Sequence, residues 1–199
     1  MIPNRPHAFT PASLEGVMFT ALEELPDDYY VFHSLKISTV VDNTFHESET
    51  DFVIFNKRWG ILCLEAKAGQ VRYENGYWLY GSGKPMHNGG PFNQAASNKW
   101  KLMKYFENHR FSFVLGKCKF LHGVWFPSIT EMDVKSMALP TESDKALIMT
   151  KEALSDPQSY LEKIFSMELP HKKETNLTES EVNRILREIL CPQFNVFPS

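Results

Sequence analysis

Two stretches decide the fold of this chain: Glu49-Thr50-Asp51-Phe52-Val53-Ile54-Phe55 and, after a short turn, Ile61-Leu62-Cys63-Leu64-Glu65-Ala66-Lys67. Each is an apolar run of strand length with charged residues near one end. The turn from Asn56 to Gly60 is short enough for an antiparallel hairpin. Such a hairpin would bring Asp51, at the start of the first strand, beside Glu65, near the end of the second.

The second of these strands predicts two charges on one face. Residues two apart in a strand share a face, so Cys63, Glu65 and Lys67 are expected to point the same way. Buried strands rarely end in same-face charges without a partner or a chemical task. A plain surface salt bridge to Lys67 is the alternative, and it would contribute only about 0–1 kcal/mol. On spacing alone both explanations stay open.

These residue types suit hydrolysis of a phosphodiester bond. Mg²⁺ prefers oxygen ligands and is usually held by one or two carboxylates together with water and phosphate. Asp51 and Glu65 would supply the carboxylates for Mg²⁺ or Mn²⁺, and the Ala66 carbonyl would supply a third oxygen. Lys67 would orient the attacking water or stabilise the charge that develops on the phosphate.

The rest of the chain mixes helical and strand patterns, which favours an α/β or α+β domain. The polar region from Val40 to Thr50 is predicted as a loop, and Glu74-Asn75-Gly76 predicts a tight hairpin. The other predicted elements are helices from Thr10 to Leu25, Pro91 to His109, Asp156 to Met167 and Thr178 to Leu190, and strands from Tyr29 to Ile37 and Lys119 to Phe126.

The helix predicted from Pro91 carries a polar stripe opposite its apolar side. Four polar residues recur along it at helical spacing: Gln94, Asn98, Lys101 and Tyr105. Their chemistry suits contacts to phosphates and stacking on bases, so we predict a nucleic-acid-binding surface here. A stripe that only faces solvent is the alternative.

Basic residues are concentrated in the middle of the chain. The formal net charge is −3, yet the segment from Asp51 to Arg110 carries nine basic and four acidic residues. A phosphate backbone would meet a basic field there, although chance clustering of solvated side chains gives the same count. The hydrophobic content of 43% is typical of a globular protein.

The sequence carries no apparent signal for export or membrane insertion. No stretch approaches the roughly 18 apolar residues of a membrane span, and the N-terminus lacks the apolar run of a signal peptide. Cys63, Cys118 and Cys191 are too scattered for a disulfide framework or a zinc site. We therefore expect a cytoplasmic protein that does not contact a membrane.

The order of the motifs resembles the PD-(D/E)XK nuclease superfamily and, more closely, its nuclease-related domain (NERD) family. The resemblance covers roughly Ala12 to Pro127. The matching segments are Leu14-Glu15-Gly16 with Ala21-Leu22, Leu25-Pro26-Asp27-Asp28-Tyr29, Tyr30-Val31-Phe32-His33, Glu49-Thr50-Asp51-Phe52-Val53, Gly60 to Lys67, Gly76-Tyr77-Trp78 and Pro91-Phe92-Asn93-Gln94-Ala95. Thr50 stands where the superfamily pattern has proline, a departure that removes no ligand.

The resemblance implies a restriction-endonuclease-like α/β core, a mixed sheet of four or five strands flanked by helices. It implies that Asp51 and Glu65 bind the metal ion and that Lys67 is the catalytic lysine. Glu15 matches the first-helix acid near the metal or its water shell, and Gln94 the helix glutamine that faces the active centre. A solvated helix position is the plain alternative for Glu15.

The resemblance also implies a DNA-hydrolysing domain, with RNA as an alternative substrate and a helicase part as a fused or associated partner. The polar stretch from Pro170 to Asn176 suggests a linker. It would divide the chain into a nuclease domain over residues 1–170 and a C-terminal helix and tail over 171–199. Two other functions stay open: a nucleic-acid-binding module with little catalysis, and a protein-interaction domain.

Overall fold

A mixed sheet forms the centre of the fold. The computed structural model describes residues 1–2, 9–141, 143–172 and 174–194. The strands are β1 (Tyr29–Val41), β2 (Thr44–Asn56), β3 (Gly60–Ala66), β4 (Val71–Glu74), β5 (Tyr77–Tyr80), β6 (Phe120–Trp125) and β7 (Ile148–Met149). Five of them form one sheet in the order β1-β2-β3-β6-β7, and β4 and β5 form a separate hairpin. β1, β2 and β3 are antiparallel neighbours, whereas β3, β6 and β7 are parallel.

Helices cover both faces of the sheet. They are α1 (Glu15–Glu23), α2 (Pro91–Asn108), α3 (Ser112–Lys117), α4 (Glu131–Ser136), α5 (Pro157–Phe165) and α6 (Glu179–Arg184), which continues as a π-helical stretch over Ile185–Leu190. Phe106 of α2 packs on one face of the sheet with Cys63. Met18 of α1 and Phe165 of α5 pack on the other with Leu62. The predicted α/β fold with a mixed, helix-flanked sheet is confirmed.

The β4–β5 hairpin fixes the start of α2. Its turn has positive φ at Asn75 (51°) and Gly76 (84°), as the Asn-Gly pair predicts. Trp78 of β5 packs against Phe92 in the first turn of α2. Gly90, with φ 99°, precedes the helix, and a Cβ there would lie 2.2 Å from Cδ1 of Trp78. Only glycine permits both this conformation and this approach.

Two predicted element boundaries are wrong. The first helix begins at Glu15 rather than Thr10, because Leu14 has φ 56° and separates α1 from a short 3₁₀ turn over Pro11–Ser13. The predicted loop from Val40 to Thr50 is instead a hairpin in which β1 and β2 pair as far as Val41 and Thr44. This hairpin extends beyond β3, whose pairing with β2 begins only at Phe52.

The C-terminal helix is an integral part of the core. Val182, Ile185 and Leu186 are buried in the same cluster as Phe32 of β1, and Lys117 before β6 pairs with Glu181 at 2.6 Å. The division into residues 1–170 and 171–199 stays a prediction, and in the structure the C-terminal helix packs on the sheet of the first part. Removing residues 174–194 would expose the α2 face of the sheet.

Candidate active site

Asp51 lies where β2 separates from β3. The paired residues of the two strands end at Phe52 and Leu64. One step further, the Asp51 carboxylate accepts a hydrogen bond from the backbone N–H of Ala66 at 2.8 Å. The Asp51 side chain thus replaces a backbone hydrogen bond between the two strands. This bond fixes the carboxylate beside the end of β3.

The backbone opposite Asp51 is irregular. In the register of β1 with β2, Ser34 lies opposite Asp51 and has φ 53°. Phe32 before this point and Leu35 after it pack in the same cluster. Even-numbered residues of β1 therefore face this cluster before Ser34, and odd-numbered residues face it afterwards. Left-handed backbone at a non-glycine residue is costly and tends to occur at functional sites.

Glu65 and Lys67 form a buried ion pair next to Asp51. Lys67 Nζ donates to Glu65 Oε1 at 2.5 Å, and the two side chains are 17% and 1% exposed. The other carboxylate oxygen, Oε2, is buried and has no hydrogen bond of good geometry to any described residue. A buried carboxylate oxygen without a partner is unusual and calls for an explanation.

The protonation of this cluster is set by burial and by mutual repulsion. Burial, followed by the charge of Asp51, raises the pKa of Glu65 to about 7, against the opposing effect of Lys67. Burial also raises the pKa of Asp51, and Glu15 and Glu49 add to that shift. Burial opposes the charged form of Lys67, but Glu65 and Asp51 outweigh it and raise the pKa of Lys67.

Glu15 of α1 reaches the same region and contacts a histidine. Its Oε2 lies 3.2 Å from Nε2 of His33, which is 2% exposed. The rings of Phe9, Phe19 and Phe52 surround this imidazole. Sequence reasoning assigned no role to His33, because a single histidine on a strand is indistinguishable from a core residue until its partner is known.

The polar stripe of α2 is only partly available to a ligand. Gln94 lies close to the Glu65 carboxylate and helps to lower its pKa. Asn98, in contrast, is buried and donates from Nδ2 to the Glu49 carbonyl at 3.0 Å. Tyr105 is buried in the core cluster of the α2 face. The prediction that Tyr105 belongs to an exposed stripe is therefore wrong, whereas Gln94 and Lys101 both line a cavity.

The motif order, the fold and this cluster are matched by one family. A family model described as nuclease-related domain aligns with residues 13–127, more than half of the chain. The chain belongs to the NERD family. The matched region runs from the start of α1 to the end of β6 and contains Glu15, Asp51, Glu65, Lys67 and Gln94. No curated protein and no solved structure matched the chain.

The ligands available in this NERD domain fit a hard divalent ion with several waters. Within the described ranges, no group of three or more His, Cys, Asp and Glu side chains is arranged to hold a metal ion. Two carboxylates are nevertheless adjacent, and Glu65 Oε2 forms no hydrogen bond of good geometry with the part of the chain that the structure describes. Mg²⁺ typically takes one or two carboxylates and keeps its remaining waters, so the donor set suits Mg²⁺ or Mn²⁺ and not zinc.

Among the described residues, no helix combines the length and the apolar character that crossing a membrane requires.

Proposed function

We propose that this NERD domain hydrolyses phosphodiester bonds of DNA with Mg²⁺ or Mn²⁺ held by Asp51, Glu65 and the Ala66 carbonyl. The observation that carries the proposal is the pair of adjacent carboxylates of Asp51 and Glu65, in which the buried Oε2 of Glu65 has no hydrogen bond of good geometry to any described residue. Burying such a group without a ligand costs free energy. A fold that retains it next to Lys67 favours a catalytic site over a stabilising salt bridge.

Each protein group has a distinct task in the proposed reaction. A bound divalent ion would polarise the phosphate and lower the pKa of a water molecule. Lys67, held by Glu65 in the resting site, would move toward the phosphate and stabilise the charge that develops there. The Ala66 N–H keeps the Asp51 carboxylate in place. Glu15, held by His33, would orient water from the side of α1.

The charge distribution favours a partner for tight binding. The residues outside the Asp51–Arg110 segment carry twelve basic and twenty acidic side chains, so they would repel a phosphate backbone. We propose that a fused or associated helicase-type domain delivers the nucleic acid. Such a domain would raise the local substrate concentration without changing the centre itself.

The first test is cleavage of labelled single- and double-stranded DNA and RNA with Mg²⁺, with Mn²⁺ and with EDTA. We expect cleavage of DNA with either ion and none with EDTA, because two carboxylates without an ion cannot activate water for this reaction. Gel analysis of the products is the measurement. Cleavage that survives EDTA would show that the reaction does not depend on a metal ion at this centre.

A second test separates binding from folding on α2. Lys101→Ala should weaken DNA binding and reduce the slope of log affinity against log salt by roughly 0.7–0.9, the loss of one phosphate contact. Asn98→Ala should instead lower stability by about 1–2 kcal/mol, because it deletes the bond to the Glu49 carbonyl. Fluorescence anisotropy over a salt series and thermal unfolding measure the two effects.

The matched control for Lys101→Ala is Lys151→Ala, an exposed lysine just after β7 at the opposite edge of the sheet. It removes the same charge and should leave the salt slope unchanged. Equal slopes for the two variants would place the substrate away from α2.

A further inference from the structure

The cavity beside Gln94 has the properties of a site that recognises a nucleobase by hydrogen bonds. It has a volume of about 700 Å³ and lies between α2 and the segment of β2 that extends beyond β3. Residues Glu47 and Glu49 line it from β2, and Asn93, Gln94, Ser97 and Asn98 line it from α2. We propose that this cavity, the base pocket, accepts an unpaired nucleobase that carries an exocyclic amino group. The proposal rests on the proposed nuclease function.

Most of the lining is neutral and can form hydrogen bonds. Asn93, Gln94 and Asn98 contribute amides, and Ser97 contributes a hydroxyl. Each amide offers both donors and an acceptor, which is the pattern needed to match the edge of a base. An apolar or strongly basic lining would instead suit stacking alone or a phosphate.

One of these amides is already fixed in the absence of a ligand. Asn98 is 5% exposed, and its Nδ2 is bonded to the Glu49 carbonyl. This bond holds the plane of the amide against β2, so little rotamer entropy remains to be lost on binding. A buried, pre-oriented amide on the wall of a cavity distinguishes the base pocket from a row of solvated side chains.

The acidic group on the wall favours a ligand that donates hydrogen bonds. Glu47, Glu49 and Lys101 line the cavity. The Glu49 carboxylate pairs with Lys36 at 3.6 Å, so Glu47 offers the carboxylate for a ligand. A carboxylate only accepts hydrogen bonds. Adenine, cytosine and guanine carry an exocyclic amino group that can donate to it, whereas thymine and uracil carry carbonyl oxygens instead and can donate only through N3–H.

The position of Gln94 places the base pocket next to the proposed active site. Gln94 lines the cavity and also lies against the Glu65 carboxylate. A base bound there therefore belongs to a nucleotide next to the scissile phosphate. We expect the domain to cut preferentially beside adenine, cytosine or guanine and to disfavour thymine or uracil at that one position.

Cytidine and uridine make the sharpest binding test, because they differ only at C4, which carries an amino group or a carbonyl oxygen, and at the neighbouring N3, which accepts a hydrogen bond in cytidine and donates one in uridine. We expect the protein in EDTA to bind cytidine about tenfold more tightly than uridine in an NMR titration, the discrimination typical of one good base contact. The double variant Glu47→Gln/Ser97→Ala should reduce the difference to about twofold or less. Both positions are exposed, so folding should be retained. Glu188→Gln, exposed on the C-terminal helix, is the matched control and should preserve the discrimination.

Mapping of cleavage sites on random-sequence DNA is the second arm. Wild type and Glu188→Gln should disfavour thymine at one position beside the cut, and Glu47→Gln/Ser97→Ala should lose this preference. Equal binding of cytidine and uridine by the wild type would overturn the base pocket. A discrimination that the double variant keeps would overturn it as well, and so would cleavage without any positional preference. Absence of all cleavage would instead refute the nuclease function. The nucleoside titration would then still test whether the base pocket binds a nucleobase.

Discussion

Asp51→Asn is expected to abolish both Mn²⁺ binding and DNA cleavage, whereas Lys67→Ala is expected to abolish cleavage and leave Mn²⁺ binding intact. The loss of cleavage should be at least about 10²-fold in each case. Calorimetric titration with Mn²⁺ at pH 8.5, together with a cleavage assay on the same preparations, measures both quantities.

The asparagine variant isolates the charge of Asp51 from its structural bond. The carboxylate accepts from the Ala66 N–H at 2.8 Å, and an asparagine oxygen can accept the same bond. The end of β3 should therefore keep its position while one anionic ligand is lost. Asp27→Asn, an exposed residue between α1 and β1, controls for the substitution itself.

Lys67 affects the metal site in two opposing ways. Its ammonium donates to Glu65 Oε1 at 2.5 Å and would repel a divalent cation. Removing it should therefore favour Mn²⁺ binding. It also holds down the pKa of Glu65, which burial raises to about 7, so its removal makes that carboxylate harder to ionise. At pH 8.5 the first effect should dominate, and Mn²⁺ should bind as tightly as to wild type or more tightly.

A surface salt bridge predicts a different pattern. Wild type would then bind no Mn²⁺, and Lys67→Ala would have little effect on either measurement. If wild type and Asp51→Asn bind Mn²⁺ equally, Asp51 is not a ligand and the proposed mechanism fails.

The proximity of Asp51 and Glu65 could be predicted because local signals agree there. Two apolar runs and a five-residue connection allow only an antiparallel hairpin, and the structure shows that register from Phe52 to Asn56. The Asn75-Gly76 turn was predictable for the same reason. The exact direction of Asp51 was not, because Ser34 interrupts the regular alternation opposite it.

The β1–β2 extension, the part of the hairpin between Leu35 and Thr50, was missed because its β2 half is polar on the inward side. Thr50 is buried there and Ser48 and His46 are half-buried, so no alternation of apolar residues marks this half as a strand. Its turn has φ 48° at Asp42 and 61° at Asn43, the conformation of a tight hairpin turn. That extension supplies Glu47 and Glu49 to the base pocket, so the missed strand matters for substrate recognition.

Tyr105 and Lys101 show why spacing alone could not define the binding surface. Both lie on the face of α2 that helical periodicity assigns to polar residues, yet Tyr105 is buried. Tyrosine has an apolar ring that a core accommodates when its hydroxyl is satisfied, and α2 packs against the β1–β2 extension along this face. The location of that extension is tertiary information, which the periodicity of one helix does not contain.

Glu65→Gln is expected to stabilise the metal-free protein above pH 7 and to remove the stabilisation that Mn²⁺ gives to the wild type. Thermal unfolding at pH 4.5–8.5, with EDTA or with Mn²⁺, is the measurement. The exposed exchange Glu74→Gln is the matched control and should behave as wild type under each condition.

The sign follows from the raised pKa of Glu65, about 7 in the folded protein against an ordinary value of 4.5. Below pH 4.5 the carboxyl is protonated in both the folded and the unfolded chain and contributes no pH dependence. Between pH 4.5 and 7 the unfolded chain releases the proton while the folded one keeps it. Stability therefore falls as pH rises, by about 3 kcal/mol in total. Glutamine cannot ionise, so the variant should avoid this loss and unfold roughly 5–10 °C higher than wild type at pH 8.5 in EDTA.

Mn²⁺ should reverse the order of the two proteins, because a ligand that binds only the folded state stabilises it by mass action. Wild type gains this stabilisation through the ionised Glu65, and it should gain more at pH 8.5 than at pH 6, where most of the carboxyl is still protonated. The variant lacks the anionic ligand and should gain little. If the metal-free wild type is instead the more stable protein at pH 8.5, the Glu65–Lys67 pair contributes to stability. The ionised Glu65 would then not destabilise the metal-free fold, and the hypothesis that it is retained for metal binding would fail.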